Sequence, residues 1–171
     1  MTPSEKPYLR SSAFELFKNR IPWLLLLMIT STFTESILGH YEASLAKYMV
    51  LSTFIPMLMN TGGNAGGQSS VTVIRSLSLG DIEFRDLFSV LWKEARVGLC
   101  CALLLAVANF VKLIIFNHVT LTVAAVVCVT LIVTVFIAKI VGCSLPMFAK
   151  KLGFDPAVMA NPFITTIIDA L

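Results

Sequence analysis

Ala157-Val158-Met159-Ala160-Asn161-Pro162-Phe163-Ile164-Thr165-Thr166-Ile167-Ile168-Asp169-Ala170-Leu171 is an apolar run that carries a single carboxylate. Asn161, Thr165 and Asp169 recur every four residues, so on a helix they share one face. At the centre of a bilayer a charged side chain costs at least ~2.5 kcal/mol, so it turns toward an aqueous path or a partner group. Read this way, the run is a membrane helix with a polar stripe, and the stripe points to cation permeation. The competing reading of Asp169 is a structural partner for a Ser, Thr or Lys elsewhere in a helix bundle.

The rest of the chain supports the membrane reading. Its 171 residues are 57% hydrophobic and 13% charged, with a mean hydropathy of +0.85. A soluble domain carries about 25% charged residues, so a water-soluble core is excluded. The expected fold is an all-α polytopic membrane protein with two parts. Residues 1–20 form a cytoplasmic amphipathic N-terminal segment, with a short surface helix over Ser12–Arg20. Residues 21–171 form one ion-conducting domain of five transmembrane helices. Glu5 and Glu15 interrupt the basic N-terminal residues, which argues against a signal peptide.

Five apolar stretches carry this reading: about 21–38, 43–79, 97–116, 119–149 and 155–171. The last would extend only ~26 Å as a helix, against ~30 Å of hydrocarbon. It is therefore expected either to be cut short or to emerge barely past the far interface. Topology follows from basic residues. With the N-terminus inside, Lys6, Arg10, Lys18, Arg20, Arg75, Arg85, Lys93, Arg96, Lys150 and Lys151 are cytoplasmic, and only Lys47 and Lys112 fall near the outside. Five spans then put the C-terminus outside, in a plasma-membrane protein. The net charge of +3 serves this topology and indicates no nucleic-acid partner.

The second stretch contains Gly62-Gly63-Asn64-Ala65-Gly66-Gly67. Four glycines in six residues disfavour a helix, and irregular backbone at membrane depth is tolerated where it lines a watery cavity. The expectation is a second helix broken at this point. The alternative is that the glycines permit close helix packing. Asn60, Asn64 and Gln68, again spaced by four, favour the lined cavity.

The chemistry of the fifth stretch is oxygen chemistry. Pro162 lacks an N–H, so the Val158 carbonyl loses its helical partner. That carbonyl joins the Asn161 amide, the Thr165 hydroxyl and the Asp169 carboxylate. Such donors suit a hard divalent cation such as Mg²⁺, which keeps several waters and often takes one or two carboxylates. A softer metal would call for Cys or His. His40 and His118 read as interfacial, and Cys100, Cys101, Cys128 and Cys143 lack metal-site spacing and read as buried thiols. One chain supplies one such carboxylate, so a two-fold dimer would place two around a pore on its axis.

Other acids have weaker claims. Glu35 lies near the outer end of the first stretch and would either line a vestibule or reach the interface. Asp81, Glu83, Asp86 and Glu94 alternate with Arg85, Lys93 and Arg96, which reads as a solvated, salt-bridged face. The sharper reading is a weak cation sensor at an inner mouth. An intramembrane enzyme finds no support: a Gly-x-Gly-Asp motif is absent, neither histidine is placed to activate Ser69 or Ser70, and aspartates are not clustered. A purely structural membrane subunit would leave two polar stripes unexplained.

Two motifs resemble the transmembrane domain of MgtE-type magnesium channels and their eukaryotic solute-carrier relatives. One is Pro56 through Gln68, whose Gly63-Asn64-Ala65-Gly66-Gly67-Gln68 core matches a Gly-Asn-x-Gly-x-Gln pattern. The other comprises Leu145-Pro146, Gly153 through Ala157, and Asn161 through Asp169. The resemblance covers nearly the whole chain. It implies a homodimer in the lipid bilayer, one axial pore lined by the second and fifth helices, and Mg²⁺ as the transported ion rather than a catalytic cofactor. Asn161, Thr165 and Asp169 would then meet the ion, largely through its water shell. Asn60, Gly63, Asn64, Gln68, Val158 and Pro162 would line the pore. Many such proteins carry cytosolic regulatory domains ahead of the membrane part, where this chain has about twenty residues. A carrier or exchanger for Mn²⁺, Co²⁺ or Ca²⁺ is the alternative left open.

Overall fold

A computed structural model describes residues 12–170, apart from the side chains of residues 19, 20, 23 and 157–162. The described residues form helices and connecting turns. The elements are α1 (Ala13–His40), α2 (Glu42–Lys47), α3 (Met49–Ser52), α4 (Ile55–Leu79), a 3₁₀ turn at Phe84–Asp86, α5 (Leu87–Ile115), α6 (Leu121–Lys151) and α7 (Pro156–Ala170).

Ser12 caps α1: its hydroxyl accepts the Phe14 N–H at 3.3 Å. The Ser12–Arg20 segment is thus not a separate surface helix. It forms the opening turns of α1, which continues through Pro22. The physical reason is local: Glu15, Leu16, Lys18 and Arg20 are good helix formers, and a lone proline near the start removes one hydrogen bond without ending the helix.

The second stretch is interrupted, but not where the glycines predict. Helix α4 runs unbroken from Ile55 to Leu79 through all four of them. The breaks lie upstream, at Tyr41, Tyr48 and Thr53–Phe54, on either side of the short α2 and α3. Pro56 then sits in the first turn of α4, a position where its missing N–H costs nothing.

Helix α6 is the hub and packs on α4, α5 and α7; α1 docks on α7. Small residues at the centre allow this. Ala102 and Ala138 are fully buried, surrounded by Leu131, Val135, Ile164 and Ile168. The tightest point is the crossing of Gly66 in α4 and Gly142 in α6: a Cβ on Gly142 would collide with the Gly66 carbonyl oxygen. Pro146, four residues on and inside α6, offers no N–H to the Gly142 carbonyl. The glycines therefore let two backbones touch, and tertiary packing repays their low helix propensity.

The outer surface is apolar. Leu104 is 73% and Val107 64% exposed, alongside Met28, Ile29, Phe33 and Val111. Soluble monomers rarely expose such continuous apolar area. Helices α5 and α6 are each long and apolar enough to cross a membrane. At one end of the bundle the Lys150 ammonium donates to the Leu77 carbonyl at 2.6 Å. Lys151 lies 4.0 Å from the Phe84 ring centroid, and Phe84 packs edge-on against Phe148. These contacts pin the α4–α5 turn to the end of α6.

Candidate ion path

The site is built on an apolar seam. Ile164 and Ile168, one helical turn apart on α7, are 0% and 2% exposed. They press onto glycines of α4. A Cβ at Gly62 would lie 2.5 Å from Ile168 Cγ2 and 2.6 Å from Thr134 Cγ2; at Gly66 it would lie 2.7 Å from Ile164 Cγ2. Only hydrogen fits there, so the seam sets the register of α7 on α4.

That register decides what lies beside the seam. One residue further along each helix, a Cβ added at Gly63 would lie 3.7 Å from Thr165 Cγ2. The polar stripes of α4 and α7 are thus neighbours on one open surface. Thr165 is exposed, as are Asn60, Asn64 and Gln68. The Asn64 amide donates to Asn60 Oδ1 at 3.4 Å. Gly63 and Asn64 also line a groove of about 580 Å³ with Gly67, Ser70 and Arg75.

Asp169 is half-buried and lines a cavity of about 750 Å³ with Glu35, Glu42, Ser31, Thr34 and Met59. Its lining includes three carboxylate residues among apolar ones such as Leu38, Leu45 and Met49, and no Lys or Arg lies among the described residues lining it. A low-dielectric cleft lined by one sign of charge concentrates ions of the other. The Thr30 and Thr166 hydroxyls, 3.3 Å apart, tie α1 to α7 and hold the Glu35 side of the cavity against the Asp169 side.

The structure unites some expected residues and separates others. It brings Asp169 and Glu35 to one cavity and sets Gly63 beside Thr165. Val158, Asn161 and Pro162 lie on α7, and their side chains fall outside the described residues. The inner acidic group divides. Glu83 and Asp86 cap one another's backbone in the α4–α5 turn, and Glu83 pairs with Arg85 at 3.2 Å, both exposed. Asp81 is exposed. Glu94 departs from that pattern: it is half-buried, and its carboxylate accepts from Ser69 at 2.6 Å. The expectation of four buried thiols holds for Cys128 and Cys143 only. Cys100 is exposed, because it lies on the outward face of α5, and Cys101 is partly so.

Glu42 is the cavity residue that sequence reasoning left unassigned. Glu42 lies seven residues after Glu35, beyond the turn at Tyr41, and both line the cavity. Among the described residues no three His, Cys, Asp or Glu side chains converge tightly enough to hold a bare metal ion. The arrangement suits an ion that keeps its water shell and is met by outer carboxylates and hydroxyls.

Comparison with known proteins finds sequence relatives over most of the chain. Residues 55–171 match the family model MgtE, described as a divalent cation transporter. The magnesium transporter MgtE of Thermus thermophilus is 37% identical over 162 residues, covering 95% of this chain and 36% of the relative. The Bacillus subtilis protein of the same name is 32% identical over 165 residues, or 94% of this chain and 36% of the relative. That of Enterococcus faecalis is 31% identical over 150 residues, or 88% and 33%. The chain thus spans about a third of the length of these curated relatives.

Proposed function

This chain belongs to the MgtE family of divalent cation transporters, and from that premise we propose that it carries Mg²⁺ across the plasma membrane along a path between α4 and α7. The observation that supports the reading is the cavity whose lining includes Asp169, Glu35 and Glu42 and, among the described residues, no Lys or Arg. In this reading α1, α4, α5, α6 and α7 are five transmembrane helices, with the N-terminus cytoplasmic and the C-terminus outside, following the Lys/Arg distribution. Two copies related by a two-fold axis bring two Asp169 carboxylates around one pore.

The mechanism follows from the donor set. Mg²⁺ sheds water reluctantly and binds carbonyls, hydroxyls and carboxylates through its hydration shell. Glu35 and Glu42 raise the local cation concentration at the outer end. Asp169 and Thr165 accept hydrogen bonds from the ion's waters, joined by Asn161 and the Val158 carbonyl. Asn60, Gly63, Asn64 and Gln68 on α4 continue the polar surface beside them. The name of the relatives favours Mg²⁺, while the oxygen donors also suit Mn²⁺, Co²⁺ or Ca²⁺ in a carrier or exchanger.

The experiment is Mg²⁺ flux into proteoliposomes, wild type beside Asp169→Ala. Flux that the substitution abolishes supports a magnesium path along α7. Flux unchanged by it removes Asp169 from the path.

A further inference from the structure

At the end of the bundle where α6 begins, a groove of about 600 Å³ lies between the α2–α3 segment and α6. Tyr48, Val50 and Leu51 line it from the first, and Thr122, Val123 and Val126 from the second. Leu51 and Val123 also pack on Phe54, Ala124 and Val127, so the groove rests on the core. Lys47 and Thr120 belong to the same lining, and no Asp or Glu lies among the described residues there.

The groove is thus apolar with one cation. Lys47 is exposed, and its ammonium lies 5.5 Å from the Tyr48 ring centroid. The Thr120 hydroxyl accepts the Val123 N–H at 3.5 Å and caps α6. The start of α6 adds positive potential beside Lys47, which favours an anion. Along α6, Val126, Val129 and Val133 follow Thr122 at intervals of four and three residues, so they share one face, and all three are exposed. From Thr122 to Val133 the stripe extends ~16 Å at ~1.5 Å per residue, about half of a ~30 Å hydrocarbon core, which is the depth of one leaflet.

We infer that this groove binds one anionic phospholipid, with the headgroup at Lys47 and the start of α6 and an acyl chain running along Val126, Val129 and Val133. Lysine meets the phosphate as a point charge, and Tyr48 suits the headgroup level. The same segment also walls the acidic cavity: Glu42, Leu45, Ala46 and Ser52 line that cavity, and Met49 lines both spaces. Neither α2 nor α3 has a buried residue, so little burial holds them in place. A lipid bound at Lys47 steadies the segment that carries Glu42. That coupling rests on the transport reading above, whereas the lipid site does not.

The test uses the full chain in detergent, with phosphatidylglycerol and phosphatidylcholine as probes and bound lipid read by native mass spectrometry. The wild type should prefer phosphatidylglycerol about fivefold, and Lys47→Gln should bring the two lipids within about twofold of each other. Lys112, near the same end of the bundle, is outside the groove lining, so Lys112→Gln should keep the preference. Equal binding of both lipids by the wild type, a Lys47→Gln variant that keeps the preference, or a Lys112→Gln variant that loses it would each overturn the inference. Binding of neither lipid would overturn it too, and would leave the groove to a second copy of the chain. Glycerol phosphate carries the headgroup charge without acyl chains and should not displace the lipid; displacement would make the groove a site for free phosphate esters and overturn the lipid assignment. In proteoliposomes, adding phosphatidylglycerol to phosphatidylcholine should raise Mg²⁺ flux about threefold more in the wild type than in Lys47→Gln. Equal responses would overturn the coupling to Glu42. A wild type that carries no Mg²⁺ fails the transport reading, while lipid binding still judges the site.

Discussion

Gly66 and Gly142 meet backbone to backbone: a Cβ on Gly142 would fall on the Gly66 carbonyl oxygen. Neither side can yield without parting α4 from α6. Gly142→Ala should therefore destabilise the protein by at least the ~1–3 kcal/mol typical of overpacking. Gly39 in α1 has nothing within 4 Å of the same position, so Gly39→Ala should be neutral or raise stability by up to ~1 kcal/mol. Melting of the two variants in detergent compares them, and equal losses would mean the crossing is loose.

Neighbouring glycines of α4 should respond differently. Gly62→Ala meets Ile168 at 2.5 Å and Thr134 at 2.6 Å, whereas Gly63→Ala meets only Thr165 at 3.7 Å. Gly62→Ala should lose stability by ~1–3 kcal/mol and loosen α7. Gly63→Ala should melt like wild type, and Gly63→Val should narrow the polar surface and slow flux while the fold persists. Melting and flux on the same preparations separate the two effects.

Asp169 and Glu35 line one cavity, with Asp169 on the helix that also bears Thr165. A unit charge ~5 Å from a divalent ion contributes about 1.7 kcal/mol even at the dielectric of water. Asp169→Asn should therefore lower Mg²⁺ flux or affinity by more than about tenfold. Glu35 is exposed, so Glu35→Gln should have a smaller effect that fades as ionic strength rises. A larger loss for Glu35→Gln would move the main ion contact to α1.

The bond from Lys150 to the Leu77 carbonyl caps the end of α4. Lys150→Met should cost about 1 kcal/mol and speed amide hydrogen exchange around residues 76–81. Unchanged exchange there would show that Gly80, in the left-handed conformation, ends the helix unaided.

If two copies share an axial pore, Thr165→Cys in a background lacking Cys100, Cys101, Cys128 and Cys143 should form a cross-linked dimer in membranes. Monomers alone under oxidation would count against that axis.

Much of this was readable in advance. The long apolar stretches and the stripes of Asn60, Asn64 and Gln68 and of Thr165 and Asp169 follow from local composition and helical period. The readings that failed concern residues whose role depends on a distant partner. A glycine cluster reads equally as a break or as a contact surface, and α6 and α7 resolve it by pressing onto Gly62 and Gly66. Glu94 follows Lys93 like any surface carboxylate, yet it accepts a hydrogen bond from Ser69, twenty-five positions earlier.

The amino-acid sequence by itself determined the class of the molecule, the extent of most of its helices and the spacing of its polar stripes, because hydrophobicity and the 3.6-residue repeat act over neighbouring residues. Only the tertiary structure decided that α4 is continuous, that its polar stripe lies beside that of α7, and which acids face the cavity. Those outcomes depend on shape complementarity between helices far apart in the chain, where a missing Cβ sets how closely two backbones approach and hence the register of everything beside them.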